Sequence, residues 1–172
     1  MAIYDIIQFP DDRLSIVAEP VKEVNQEIQQ IVKNMFNTLY NAKNCAALAA
    51  SQLDIPWSDG VVRRITVIDF SPKKDQPLCL INPEISDLQG ETKLKEGCMS
   101  VAVVSAAVKR YKKIRVQALN SSGSKIDFIA EDFMAKCIQH ELDHLDGKLF
   151  LDRLSALRKA MLVKRVLKKQ VH

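Results

Sequence analysis

The 172-residue chain carries 25 basic and 21 acidic residues for a net charge of +4, with 47% hydrophobic and 27% charged composition. These values suit one globular domain spanning residues 1–172, and five glycines and six prolines argue against disorder. No apolar stretch approaches the ~20 residues of a membrane span, residues 1–7 lack the features of a signal peptide, and four cysteines without a C-x-x-C pair suggest no disulfide frame, so a reduced, cytoplasmic protein is expected.

Pro10 to Leu14 reads as a turn into a short segment ending at Glu19-Pro20. From Val24 to about Lys43, Ile28, Val32, Met35 and Leu39 recur at helical spacing, which predicts a core helix. Arg64 to Phe70 predicts a strand closed by Ser71-Pro72, and Leu78 to Ile81 a second one closed by Asn82-Pro83. Lys113 to Leu119 and Ile126 to Ile129 flank the turn-forming Asn120-Ser121-Ser122-Gly123, which predicts a hairpin. One helix is expected from near Glu131 and a last one from near Asp152. Strands in the middle and helices at both ends predict an α+β fold. Its sheets should be small, antiparallel or mixed, and packed around the helix after Glu131, with a further helix at the C-terminus.

The last helix is basic. Arg153 to His172 holds seven cationic residues and no acid, which leaves 18 basic and 21 acidic residues elsewhere. Leu154, Leu157, Met161 and Leu167 fall at helical spacing, so the expected arrangement is a surface helix docked by that stripe with its cations in water. The alternative is an electrostatic contact with RNA or another acidic surface.

The helix after Glu131 carries His140-Glu141-Leu142-Asp143-His144. This spacing puts both histidines on one face, one turn apart. Two imidazoles so placed can hold one metal ion, and the glutamate between them can serve as base to an activated water. The plainer reading is two histidines on a half-buried helix face. A third ligand decides between them. No glutamate follows Glu141, and Phe150 stands where an extended motif would place another histidine. His172 is the last residue and is expected to fray. Asp146 and Asp152 stay open, although Asp146 is too close in sequence to fold back easily. Cys137 precedes His144 by roughly 10 Å of helix rise and cannot share an ion with it. Cys79, in the run Leu78-Cys79-Leu80-Ile81, reads as a core thiol. Cys98 has polar neighbours and follows Gly97, which lets backbone come close to something, so it is the candidate third ligand.

Glu96-Gly97-Cys98-Met99-Ser100 resembles the E-G-C-L-S motif of the peptide deformylases. Gln139 to Gly147 is similar to their Q-H-E-x-D-H-L-x-G motif, and Leu48-Ala49-Ala50-Ser51-Gln52 to the end of their G-x-G-L-A-A-x-Q motif. The similarity runs in order from Pro10 to Phe150. It implies a metallohydrolase that removes the formyl group from formyl-methionyl nascent peptides and releases formate. Cys98, His140 and His144 would hold one divalent ion, ferrous iron in the cell, with zinc, nickel or cobalt also compatible. Glu141 would be the base, and the Gln52 amide and the Met99 backbone N–H would meet the oxyanion. Ala46, Ala47, Gly97, Lys136 and Cys137 would line the substrate cleft. Nascent chains imply the ribosome as the acidic partner of the basic helix, and no membrane.

Four departures from the family pattern fall on the parts that hold substrate. Cys45 and Ala47 replace two glycines, at a cost of about 1 kcal/mol wherever a positive φ is needed. Lys136 replaces an apolar residue one turn before His140; it can snorkel outward or point inward and attract an anionic substrate group. Ser105 stands where an arginine is usual, in the small apolar run Val101 to Val108. Trp57 to Val62 looks like an insertion whose tryptophan caps a pocket or simply packs. The expectation is intact chemistry with altered substrate preference. The competing readings are a metal amidase of the same fold with another acyl substrate, and a non-catalytic ribosome- or RNA-binding paralogue.

Overall fold

A computed structural model describes residues 2–171, so the fraying expected of His172 lies outside the described residues. The predicted first helix is α1, Gln26–Asn41. The Asn25 side chain starts it by accepting a hydrogen bond from the Ile28 N–H at 3.0 Å. Ile28, Ile31, Val32, Met35 and Leu39 form its buried face. Seven strands follow: β1 (Ala47–Ala49), β2 (Ile65–Ile68), β3 (Leu78–Gln89), β4 (Thr92–Cys98), β5 (Val101–Arg110), β6 (Lys113–Leu119) and β7 (Lys125–Glu131). Two further helices complete the chain, α2 (Asp132–Leu145) and α3 (Ala156–Gln170), with a 3-10 turn at Phe150–Arg153 between them. None of the described helices is long and apolar enough to cross a membrane.

β1, β2, β3, β6 and β7 form one sheet in that order, and β4 and β5 a separate ribbon; every pairing is antiparallel. β2 is buried on both faces. Its Ile65 and Val67 join the α1 side chains in one cluster, while Ile68 joins Ala135 and Ile138 of α2 in another. The larger sheet therefore lies between α1 and α2. A third cluster packs Val101, Val104, Ala106 and Val108 of β5 against Phe150, Leu151, Leu162 and Val166.

Three elements differ from expectation. β3 does not stop at Asn82-Pro83 but runs on to Gln89. Asn82 takes a φ of 53° and the register shifts between Ile81 and Glu84, so the proline sits in an irregularity where no ladder hydrogen bond is lost. The small apolar run at Val101 is a strand, and its pairing shifts between Glu96 and Cys98, which breaks the simple alternation. The predicted α3 stripe is wrong in phase. Leu157 and Met161 are 74% and 60% exposed, whereas Leu162 and Val166 are buried. The helix begins after the Ser155 cap rather than at Asp152, and the neighbouring stripe is the one that meets β5.

Candidate metal centre

α2 presents its metal-ligand motif where three elements meet. Gln139 pins the helix by donating to the Tyr111 and Ala135 carbonyls, at 2.8 and 2.9 Å, and accepting from the Tyr111 N–H at 2.9 Å. At its other end Gly147 takes a φ of 74°, and the Gly147 and Lys148 N–H groups donate to the carbonyls of His144 and Asp143. This is a Schellman closure. A Cβ at Gly147 would stand 2.5 Å from the Ser15 carbonyl oxygen, so both backbone shape and space demand glycine there. The Ser51 hydroxyl donates to the His144 carbonyl at 2.9 Å and ties the segment after β1 to the same turn.

Helical spacing brings the two rings together, with Nε2 of His140 and His144 3.1 Å apart. The turn between β4 and β5 brings Cys98 Sγ to 3.3 Å from His144 Nε2, and the three donor atoms all lie within 4.8 Å of one another. Ligands placed tetrahedrally at usual zinc distances would be about 3.3 Å apart for two nitrogens and about 3.6 Å for sulfur and nitrogen. The three side chains fit one divalent ion. Asp146, left open by the sequence, pairs with Arg64 at 2.9 Å, and Asp152 caps the Leu149 N–H. Phe150, in the place of a third histidine, stacks on the His140 ring at 6.3 Å.

Behind the ligands runs a buried charge network that sequence reasoning missed. His140 Nδ1–H donates to Glu96 Oε1 at 2.8 Å, which leaves Nε2 free to face the ion. Arg110 grips Glu96 through Nε at 2.8 Å and Nη2 at 2.9 Å, and reaches Asp143 with Nη1 at 2.7 Å. Arg153 closes the chain on Asp143 at 2.6 and 3.0 Å. Burial works against the Glu96 charge, yet Arg110 and His140 hold its carboxyl down at about 2. Burial also disfavours a charged His140, but Cys98 and Glu96 together raise it to about 10. Burial and the neighbouring His140 push His144 well below its ordinary value.

Glu141 is the exception within this satisfied shell. Burial pushes its carboxyl up to about 7, and its Oε2 is a buried side-chain oxygen with no hydrogen-bond partner among the described residues. An acceptor so placed fits a water on the ion. Gln52 is held by the Ala49 N–H, which donates to its Oε1 at 2.9 Å. Its amide nitrogen then points to Cys98 Sγ at 3.4 Å and Ser100 Oγ at 3.1 Å.

A cavity of about 500 Å³ opens over the centre, and Gln52, Met99 and Glu141 line it together with Ala46, Ala47, Gly97, Lys136 and Cys137. Neither Cys45 nor Ala47 has a positive φ; the left-handed residue of this stretch is Asn44. Cys45 is buried, and burial pushes its thiol up to about 12, as it does those of Cys79 and Cys137. Gly97 is not needed for backbone shape. A Cβ there would meet Val104 and Ser105 only at 3.8 and 3.9 Å, and the residue's open side faces the cavity. Ser105 lines the same wall, beside Val103 with its φ of 69°. The Lys136 ammonium donates to the Lys95 carbonyl at 3.3 Å. Trp57 packs with the α1 cluster and takes no part in this cavity.

The comparisons with known proteins agree with this geometry. Residues 3–160 match the sequence pattern of the family described as polypeptide deformylase. "Peptide deformylase 1" of Coxiella burnetii is 50% identical over 165 residues, 95% of each chain. Among solved structures, a peptide deformylase from Legionella pneumophila superposes with a TM-score of 0.89 at 37% identity, covering 98% of this chain and 96% of that one. One from Ehrlichia chaffeensis, solved with actinonin, superposes with a TM-score of 0.87 at 36% identity and 98% coverage of both.

Proposed function

The chain belongs to the polypeptide deformylase family, and on that premise we propose that it hydrolyses the N-formyl group of formyl-methionyl nascent peptides, releasing formate. The observation that carries the reading is the meeting of Cys98, His140 and His144 beside the unpartnered Glu141 carboxylate in one cavity. Cys98, His140 and His144 would hold a divalent cation, which when bound would supply Lewis acidity and lower the pKa of a water from about 16 toward 7. Glu141 accepts the proton of the attacking water at Oε2. The Gln52 amide and the Met99 backbone N–H stabilise the oxyanion that forms at the formyl carbon. Glu141 then returns the proton to the departing amine. Ala46, Ala47, Gly97 and Cys137 flank the peptide, and the whole chain acts as one catalytic domain.

One thiolate and two imidazoles suit ferrous iron, the ion we assign in the cell, and equally accept zinc, nickel or cobalt. Acting on nascent chains, the enzyme works in the cytoplasm. α3 faces the ribosome with its basic residues, and the exposed Leu157 and Met161 add an apolar element to that surface. The test is formate release from formyl-Met-Ala-Ser by anaerobically prepared protein of known metal content. The expected result is turnover that Cys98→Ala abolishes together with the bound ion. A full complement of metal with no formate would overturn the reading.

A further inference from the structure

We propose that Lys136 makes this enzyme favour formyl-methionyl peptides with an acidic side chain in the two residues after the methionine. Lys136 stands one turn before His140 on α2 and lines the cavity that holds Gln52, Cys98 and Glu141. Its ammonium donates to the Lys95 carbonyl at 3.3 Å and lies 4.7 Å from the centre of the Phe133 ring. That ring is itself braced edge-to-face against Phe70, with centroids 5.1 Å apart. A carbonyl and a ring fix where the charge sits, and neither neutralises it. The other charges around the cavity are accounted for. Glu96 is neutralised by Arg110 and bonded to His140, and Glu141 is buried and assigned to the proton transfer. Among the described residues Lys136 has no ion pair with a carboxylate.

The topology says what reaches this charge. β1 ends the five-stranded sheet and pairs only with β2, so its other edge is open to an extended peptide. Ala47 at the start of β1 and Ala46 just before it line the same cavity as Lys136. A peptide laid there turns alternate side chains toward the cavity wall. The inference rests on the deformylase reading, in which the first residue is methionine. An anion meeting Lys136 therefore comes from the second or third residue. A partly exposed pair of this kind changes kcat/KM by about 2- to 5-fold and weakens with salt.

The test compares formyl-Met-Asp-Ser with formyl-Met-Asn-Ser, and formyl-Met-Ala-Asp with formyl-Met-Ala-Asn, using metal-loaded full-length protein at low salt. The expected result is an Asp-over-Asn preference of about 2- to 5-fold in at least one pair, lost in Lys136→Met and kept in Lys136→Arg. A ratio near one in the wild type, or one unchanged in Lys136→Met, overturns the inference while leaving the deformylase reading standing. No formate from any peptide overturns both. Should Lys136→Met fail to fold, the wild-type ratio in high salt decides: a fall supports the inference, and no change refutes it.

Discussion

Beneath the cavity floor, Glu96, Arg110 and Asp143 expose 2%, 3% and 6% of their side chains, and oppositely charged atoms lie 2.7 to 2.8 Å apart. On the rim, Val103 and Phe133 are 59% and 42% exposed, and the Lys136 ammonium meets a carbonyl and a ring. The floor is over-determined: moving one charge strands another in a medium that cannot solvate it. The rim is held by few contacts, so residue types can change there without unfolding the chain. Of the departures from the family motifs, Lys136 and Ser105 line this rim, while Cys45 is buried in the α1 cluster; Glu96, Cys98, His140, Glu141 and His144 keep the pattern.

The contrast can be broken most forcefully at Arg110. Arg110→Met leaves the Glu96 carboxylate buried without its cation and weakens the hold on Asp143. The expected loss is about 3–5 kcal/mol in urea unfolding of the metal-loaded protein. A loss below about 1 kcal/mol would mean that the floor tolerates change as the rim does. Gln52→Leu should lower kcat about 10²–10³-fold with KM little changed; a rise in KM alone would move Gln52 from the chemistry to peptide binding. Gly147→Ala, at the exit of α2, should cost about 1–3 kcal/mol in thermal unfolding, because the left-handed backbone and the Ser15 carbonyl both oppose a Cβ. Val103→Gly reverses the sign. It relieves a β-branched residue from a φ of 69° and should stabilise by about 0.5–1 kcal/mol. Destabilisation instead would show that the Val103 side chain holds the rim.

The sequence made the floor's ligands legible because two of them lie one turn apart on a single helix. Cys98 stood out among the cysteines by its polar neighbours and Gly97, although Asp146 and Asp152 stayed open. The network behind them was not legible: Arg110 meets Glu96 across 14 residues and Asp143 across 33, and no local spacing announces such a pair. Asp143 did carry a signal, as a carboxylate on a helix face bound for the interior. Helical periodicity found α1 because its apolar residues form one stripe. It misplaced α3 because Leu157 and Met161 compete with Leu162 and Val166 on the adjoining stripe, and only β5 decides between them. The β4–β5 ribbon escaped because its bulge interrupts the alternation that marks a strand. For the rim, residue types were readable but contacts were not. The two alternatives for Lys136 are separated only by where the Lys95 carbonyl and the Phe133 ring lie.

The central claim is that one face of α2 holds the ion while Glu141 moves the proton. The most direct test measures metal content and formate release side by side in the wild type and Glu141→Ala. The account predicts equal metal content and turnover lower by about 10²–10⁴-fold in the variant. Turnover within tenfold of the wild type, or a loss that merely tracks loss of the ion, would contradict it.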